Sequence, residues 1–448
     1  MRGRFAGCGP PLSPIIPDYP PIMGPALAAT AHAKVAPEWL QENHKAGDPP
    51  PTGEVDEDQM VVISGTRDAT DREQPSSCPT IMIGGAVPDG SRDDGWEEMP
   101  TVTGFDLERL VVDEEENATL VGPGLGLLLW PYFIENSKDL SKIKRAVITM
   151  ADMRNALVCA AGRDSVNADM DRVLIAAPQW LNKDDDDAGA PGSQDIYFDN
   201  SSFQLGAPSV GPGDVHISSY EALDMLVKTF WDKNVYPALE TVVIATHYAL
   251  LRPAQPEDSK ISFGIMNPGS YAWPVSDRPE EDDDCEDTYN DWPYGIDDGQ
   301  AWAIPEYVRD EVLDDRSMVR ERYFSRNIFY GFGLEDHKTG DSHCEAQWQG
   351  ATHLERGQNF DKMLQDLKDG FPKNHSVDYI PGVDHDNYLM FISEPMQRKM
   401  FLFDTEEEPQ DGDNVSADDK PTDDASHQSA VSRLILGSLL LSVIVGLY

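Results

Sequence analysis

Short apolar runs separated by helical stretches constrain the fold of this chain more than any other feature. The runs occupy residues 143–150, 172–178, 241–245, 260–266, 327–332 and 377–380. Strands that are apolar along their whole length are buried on both faces, which is typical of a parallel sheet covered by helices. The pattern predicts an α/β fold with a mostly parallel sheet flanked by helices.

The segments between the runs carry helical periodicity. Residues 220–234 place Leu223, Leu226, Val227 and Phe230 on one face, as an amphipathic helix requires. Further helices are predicted over 155–161, 310–323 and 358–368. Before residue 104 the chain shows little periodicity, and only 60–64 looks like a strand.

An acid and a base follow two of the predicted strands. The run beginning at Asn327 leads to Asp336, and the run beginning at Ser376 leads to His385. Ligands of open α/β sheets bind beyond the carboxyl ends of the strands, where both residues fall. This order is the later part of the Ser, Asp, His order of serine hydrolases, in which the carboxylate orients the histidine that takes the proton. We therefore predict Asp336 as the acid and His385 as the base.

The serine nucleophile that should precede them is missing. Residues 240–247 read as a buried strand that ends at His247, and Tyr248 follows directly. Nowhere does the chain contain the Gly-x-Ser-x-Gly pattern of a nucleophile elbow. Tyr248 is too bulky for such a turn, and its phenol has a pKa near 10. Ser270 and Ser342 lack the strand-turn-helix setting of a nucleophile.

The charge balance limits the partners. The chain of 448 residues has 80 acidic and 35 basic residues, which gives a net charge of −45. A phosphate backbone requires a basic surface, so nucleic acid is excluded as a partner. The acidic runs lack the spaced pattern of a calcium loop and are interpreted as solvated segments. No metal and no cofactor is predicted.

Composition divides the chain into four parts. Residues 1–103 form an extension rich in proline, glycine and acidic residues, and 104–402 form the α/β domain. Residues 403–433 are predicted to be a disordered acidic linker, and 434–448 an apolar tail. The tail fits a lipid-anchor signal, a short membrane span or a packed helix, and all three readings stay open. The proline-broken N-terminus makes a poor signal peptide.

Cysteines and glycosylation triplets favour the secretory pathway. Five cysteines cannot all pair within one chain, and Cys285 with Cys344 is the preferred pair because the two flank the half with Asp336. Triplets of the form Asn-x-Ser/Thr begin at four asparagines: Asn117, Asn200, Asn374 and Asn414. The expected location is therefore the extracellular medium or the cell surface, with membrane attachment through the tail.

An ordered set of motifs resembles a known family. The motifs are 263–271 (FGIMNPGSY), 289–295 (YNDWPYG), 344–350 (CEAQWQG), 353–357 (HLERG) and 383–386 (VDHD). Together they resemble a fungal and bacterial group of secreted α/β-hydrolase-fold proteins over roughly residues 105–400. The resemblance implies the α/β-hydrolase fold, Asp336 as acid, His385 as base, and hydrolysis of an ester or related acyl bond in a small molecule.

The chain departs from that family at two places. In the family, the strand matching 240–247 continues into Gly-His-Ser-Ala-Gly-Gly and a helix, whereas this chain passes from His247 to Tyr248. Losing that helix is expected to expose apolar surface, with Leu250, Leu251 and the neighbouring strands forced to repack. The family also tends to carry His-Gly after the strand matching 146–150, where this chain has Met150-Ala-Asp.

Three functional hypotheses remain. The first is a hydrolase-like protein that lacks the nucleophile and is inactive as an enzyme. The second is an active serine hydrolase whose printed sequence lost the elbow segment after His247 through a gene-model error. The third is an acidic surface glycoprotein with a structural role.

Overall fold

A computed structural model describes the protein over residues 61–63, 83–86, 95–102, 104–112, 128–136, 138–149, 153–214, 216–245, 247–280, 285–296 and 301–403. The acidic linker and the apolar tail lie outside these described residues, as does most of the extension. The predicted domain boundaries therefore stay predictions.

Eight strands form the central sheet. They are β4 (Phe105–Val111), β5 (Leu129–Glu135), β6 (Arg145–Ile148), β7 (Val173–Pro178), β8 (Thr241–Ile244), β9 (Ile261–Met266), β10 (Asn327–Gly333) and β11 (His375–Ile380). Their spatial order is β11-β10-β9-β8-β6-β7-β5-β4. Strand β5 is antiparallel to its two neighbours, β4 and β7, and all the other pairs are parallel.

The order of the strands defines the fold class. Counted from β4, the eight strands lie in the order 1-2-4-3-5-6-7-8, and only the second runs against the others. This is the order of the α/β-hydrolase fold. The predicted class, a mostly parallel sheet flanked by helices, is therefore confirmed.

A second, smaller sheet precedes the central one. It contains three antiparallel strands in the order β1-β2-β3. They are β1 (Val61–Ile63), β2 (Ile83–Ala86) and β3 (Thr101–Val102). The strand predicted at 60–64 is β1, whereas its partners β2 and β3 were not predicted.

Both faces of the middle of the central sheet are buried, as its apolar strands require. In β6, Ala146 and Ile148 belong to one hydrophobic cluster, whereas Val147 belongs to the other. Strand β8 divides in the same way, with Val242 and Ile244 on one face and Val243 on the opposite face. Because side chains alternate along a strand, these two clusters are the two faces of one sheet.

Helices cover the two faces. They are α1 (Met153–Gly162), α2 (Lys183–Ala188), α3 (Ser219–Phe230), α4 (Glu306–Asp314), α5 (Arg316–Ser325), α6 (Cys344–Gln347), α7 (His353–Gln365), α8 (Asn387–Ile392) and α9 (Glu394–Phe401). Helix α3 begins at the cap Ser218, whose hydroxyl accepts from the Tyr220 amide, and buries the apolar face predicted for it. The single helix predicted over 310–323 is wrong, because Asp315 ends α4 and caps α5 through the Met318 amide.

Candidate active site

Asp336 and His385 lie side by side at the carboxyl edge of the sheet. Asp336 follows β10 and His385 follows β11, and these parallel neighbours pair as far as Gly333 and Ile380. His385 Nδ1 is 2.9 Å from Asp336 Oδ2. Asp336 is fully buried, whereas the His385 side chain is 19% exposed. The imidazole therefore connects a buried carboxylate to the solvent side of this edge.

A second imidazole contacts the same carboxylate. His353, the first residue of α7, has its Nδ1 2.9 Å from Asp336 Oδ1. The rings of His353 and His385 stack with centroids 4.4 Å apart and an interplanar angle of 30°. The sequence analysis missed this contact. Its only signal was the run 353–357, which the resemblance marked without giving His353 a role.

Asp336 and His353 differ in their protonation states. Burial raises the pKa of Asp336, but hydrogen bonds from His353 and His385 outweigh burial and bring that pKa to about 2. Burial lowers the pKa of His353 by more than its bond to Asp336 raises it. Asp336 is therefore ionised at neutral pH and His353 is neutral. Since a carboxylate only accepts hydrogen bonds, Nδ1 of each imidazole carries a hydrogen.

Asn267 joins the loops that carry the acid and the base. It follows β9 with a φ of 43°, a left-handed conformation that asparagine tolerates. Its Oδ1 accepts from the Gly333 amide at 2.7 Å, and its Nδ2 donates to the Asp384 carbonyl at 2.9 Å. The two loops are so close here that a Cβ on Gly333 would lie 2.4 Å from the Val383 carbonyl oxygen. Asn267 thereby fixes the residue next to His385.

The three side chains fit a single metal ion poorly. Ligand atoms of Asp336, His353 and His385 all lie within 4.8 Å of one another, which is close enough for a metal site to be considered. The two Nδ1 atoms, however, each face a different oxygen of the carboxylate. Each Nδ1 carries a hydrogen that it donates to the carboxylate, so neither nitrogen can bind an ion in this arrangement.

Strand β8 runs into a tight turn where a nucleophile elbow would stand. After Ala245 the described chain continues with a 3₁₀ turn at His247–Ala249 and another at Asp258–Lys260. Among the described residues between 247 and 260 there is no α-helix. An elbow requires a strand, a sharp turn and a helix in succession, and the third part is missing here. Thr246 and the His247 side chain lie outside the described residues.

Tyr248 is a buried structural residue. Its hydroxyl donates to Asp224 of α3, and Arg252 Nε lies 2.9 Å from the same hydroxyl. Burial raises the pKa of Tyr248 well above its ordinary value. A phenol that is inaccessible and firmly protonated cannot attack a substrate, which agrees with the argument from its bulk.

Ion pairs stabilise the short connection between β8 and β9, and its apolar side chains are buried. Arg252 Nε is 2.6 Å from Asp224 Oδ1, and Arg252 also pairs with Asp258. Leu250 and Leu251 are both buried in the main hydrophobic cluster. These two apolar side chains are therefore packed in the core and are not exposed.

The other two serines lack a base. Ser270 Oγ donates to Asp341 Oδ2 at 3.0 Å, so its contact is with a carboxylate and not with an imidazole. The neighbouring Asp341 Oδ1 is 2.6 Å from His343 Nδ1, and this bond raises the pKa of His343. Ser342 is exposed. Neither serine has the setting of an activated nucleophile.

A disulfide joins two segments near this edge. Cys285, which lies between β9 and β10, is bonded to Cys344 at the start of α6, with their Cα atoms 6.0 Å apart. This is the pair preferred from the sequence. Beside it, Thr288 Oγ1 donates to Glu345 Oε1 at 2.7 Å.

The remaining predicted sites fall partly outside the described residues. Asn200 and Asn374 are exposed, whereas Asn117 and Asn414 lie outside the described residues. Asn374 Nδ2 donates to the Ser325 carbonyl at 2.9 Å. Residues 150–152, the altered segment after β6, also lie outside. No helix in the described part of the chain is long and apolar enough to cross a membrane.

Comparison with known proteins finds distant likenesses among solved structures. No family model and no curated protein matches the chain. The poly(3-hydroxybutyrate) depolymerase LpqC of Bordetella parapertussis is 17% identical over 64% of this chain and 86% of its own, with a TM-score of 0.41. The poly(aspartic acid) hydrolase-1 of Sphingomonas sp. KT-1 is 15% identical over 66% and 98%, with a TM-score of 0.40.

A fungal structure is similarly distant. The siderophore hydrolase EstA of Aspergillus nidulans is 10% identical over 69% of this chain and 96% of its own, with a TM-score of 0.33. Scores of this size carry no conclusion about function. The assignment to the α/β-hydrolase fold therefore depends on the strand order.

Proposed function

We propose that this protein is a hydrolase-fold protein that keeps an acid and a base but lacks the nucleophile, and that it binds a small ester or acyl ligand without hydrolysing it. One observation supports this most. Asp336 and His385 meet at the carboxyl edge of the sheet, while β8 leads to the buried Tyr248 instead of an elbow serine. Acid and base without an attacking oxygen cannot form an acyl-enzyme.

Active-site labelling tests the proposal. A fluorophosphonate probe reacts with an activated serine, so we expect no labelling of the purified full chain. We also expect no hydrolysis of p-nitrophenyl butyrate above the rate of the His385→Ala variant. His216→Ala is a matched control, because His216 bonds the Ser209 carbonyl away from Asp336. Ester hydrolysis that is lost in His385→Ala and kept in His216→Ala would refute the absence of activity.

A second candidate is an active serine hydrolase whose sequence has lost a segment after His247. The direct passage from strand β8 to Tyr248 favours it, because the rest of the acid and base geometry is intact. Reading the transcript across codon 247 separates the two candidates. A continuous read without an insertion removes this one, and an inserted Gly-x-Ser-x-Gly segment would establish it.

We further propose that the protein follows the secretory route and reaches the cell surface or the medium. The Cys285–Cys344 disulfide supports this, because such bonds persist in oxidising compartments. The exposed Asn200 and Asn374 are suitable glycan acceptors. Protein expressed with an intact N-terminus in a fungal host should lose mass on N-glycosidase treatment, and Asn200→Gln with Asn374→Gln should reduce that loss. An unchanged mass would contradict glycosylation at these positions.

A further inference from the structure

Asp336 is shared by two imidazoles, and the sequence accounts for only one of them. His385 takes one carboxylate oxygen and His353 takes the other, each at 2.9 Å. We infer that His353 is a positioning residue, which holds Asp336 Oδ1 so that Oδ2 stays aligned with Nδ1 of His385. The inference rests on the proposed acid and base roles of Asp336 and His385.

Stability alone explains an imidazole at this position poorly. The His353 side chain is 2% exposed, and its Nε2 has no hydrogen-bond partner among the described residues. A buried nitrogen without a partner costs stability. A smaller side chain with one donor would satisfy Asp336 Oδ1 without that cost. What the imidazole adds is a flat ring that stacks on His385 while it donates to Asp336.

The surroundings of His353 prevent its ring from moving. Gly340, with a φ of +59°, lies so close that a Cβ there would be 1.8 Å from His353 Nε2. The buried Arg356 guanidinium fastens this loop by donating to the carbonyls of Thr339 and Asp341, at 2.9 and 2.8 Å. The His353 ring is therefore confined at Nε2 by Gly340 and on one face by His385, so its Nδ1 can keep Asp336 in a fixed orientation.

Burial favours a neutral His353, and His385 and Arg356 act in the same direction, against the effect of Asp336. Asp336 and His385 face its ring, and Arg356 acts on it from the same helix. Two imidazolium rings stacked at 4.4 Å beside an arginine would repel one another. A neutral His353 still donates through Nδ1, so it orients Asp336 without competing for the proton of His385.

The tautomer of His385 provides the test. Neutral imidazole in water prefers a hydrogen on Nε2, whereas an aligned carboxylate keeps the hydrogen on Nδ1. Nitrogen-15 shifts of labelled histidine in the full chain, measured at an alkaline pH where imidazoles are neutral, report this directly. We expect about nine-tenths of His385 as the Nδ1–H form in the wild type, falling below about half in His353→Leu.

The conservative variant separates positioning from packing. In His353→Asn the amide nitrogen occupies nearly the same place as Nδ1. It should keep the Nδ1–H form of His385 despite losing the ring. If folded His353→Leu keeps the wild-type tautomer, or folded His353→Asn loses it, the inference is wrong. Should His353→Leu fail to fold, His353→Gln takes its place, because its longer side chain misplaces the donor. No outcome here depends on ester hydrolysis, so the proposed inactivity can fail separately.

Discussion

Asn267 shows how one side chain can set the geometry of a site it does not enter. Its amide spans the loops after β10 and β11 and holds the Asp384 carbonyl, one residue before His385. Both contacts are largely buried, and the left-handed backbone suits asparagine or glycine. Position 267 therefore combines a backbone requirement with a side-chain requirement, and the two can be separated by substitution.

We predict that Asn267→Gly lowers the free energy of unfolding by about 1–3 kcal/mol, because two buried groups lose their partner. Asn267→Ala should cost more, since alanine adds backbone strain at a φ of 43°. Urea denaturation of both variants and the wild type checks this. Equal stability of the three proteins would show that the amide does not hold the loops.

His353 and Asn267 also show what the sequence could not reveal about individual residues. Strand ends gave Asp336 and His385, because neighbouring parallel strands deliver their ends to one edge. The second imidazole is 17 residues beyond Asp336 at the start of a helix, and no local pattern announces a contact across that distance. Asn267 was visible only within a quoted motif. Side-chain bridges between loops require coordinates.

At the scale of elements, the connection from β8 to β9 is held by a buried polar network. Asp224 of α3 accepts from Tyr248, from Arg252 and from Tyr307, the last at 2.9 Å. Arg326, which precedes β10, contacts the same connection, because its Nη2 lies 3.2 Å from Asp258 Oδ2. Such a network replaces helix packing with directional contacts, so its members are coupled.

Removing the centre of this network should be costly. Asp224→Ala leaves a buried guanidinium and two phenols without their acceptor, and we expect it to lower the free energy of unfolding by about 3–5 kcal/mol. Tyr307→Phe removes one bond at the edge and should cost about 1 kcal/mol. Chemical denaturation of the two variants measures both. Similar losses would show that Asp224 is not the organising group.

The elements themselves were only partly predictable. Strands β6 to β11 were found because uninterrupted apolar runs mark strands buried on both faces. Strand β4 was missed, since charged residues such as Glu108 and Arg109 lie exposed along it. Strand β5 carries Pro131, which weakens a strand signal. Asp315 divided one predicted helix into two because it serves both as an end and as a cap.

At the scale of the whole molecule, His375 and Asp336 both contribute to the loss of stability in acid. Burial lowers the pKa of His375 to about 4, so the unfolded state binds its proton first as pH falls. Stability is therefore lost between about pH 6.5 and 4 on this account. Asp336 has a depressed pKa of about 2, so its contribution is present above about pH 4 and is lost between about 4 and 2.

We predict that His375→Asn flattens the pH dependence of unfolding between about pH 6.5 and 4, and that Asp336→Asn flattens it between about 4 and 2. Urea midpoints measured across both intervals test the windows separately. His337→Asn, an exposed neighbour of Asp336, serves as the control. If the control alters either slope as strongly as its matched variant, the assignment to these groups is wrong.

The covalent bond between Cys285 and Cys344 has a practical consequence for handling the protein. The two cysteines are 59 positions apart in the sequence, and the ring that they close includes α4, α5, β10 and Asp336. A peptide bond cut anywhere inside that ring leaves the two fragments tethered. Nicked material would therefore migrate as full-length chain on a gel run without a reductant, and only added thiol would reveal the cut.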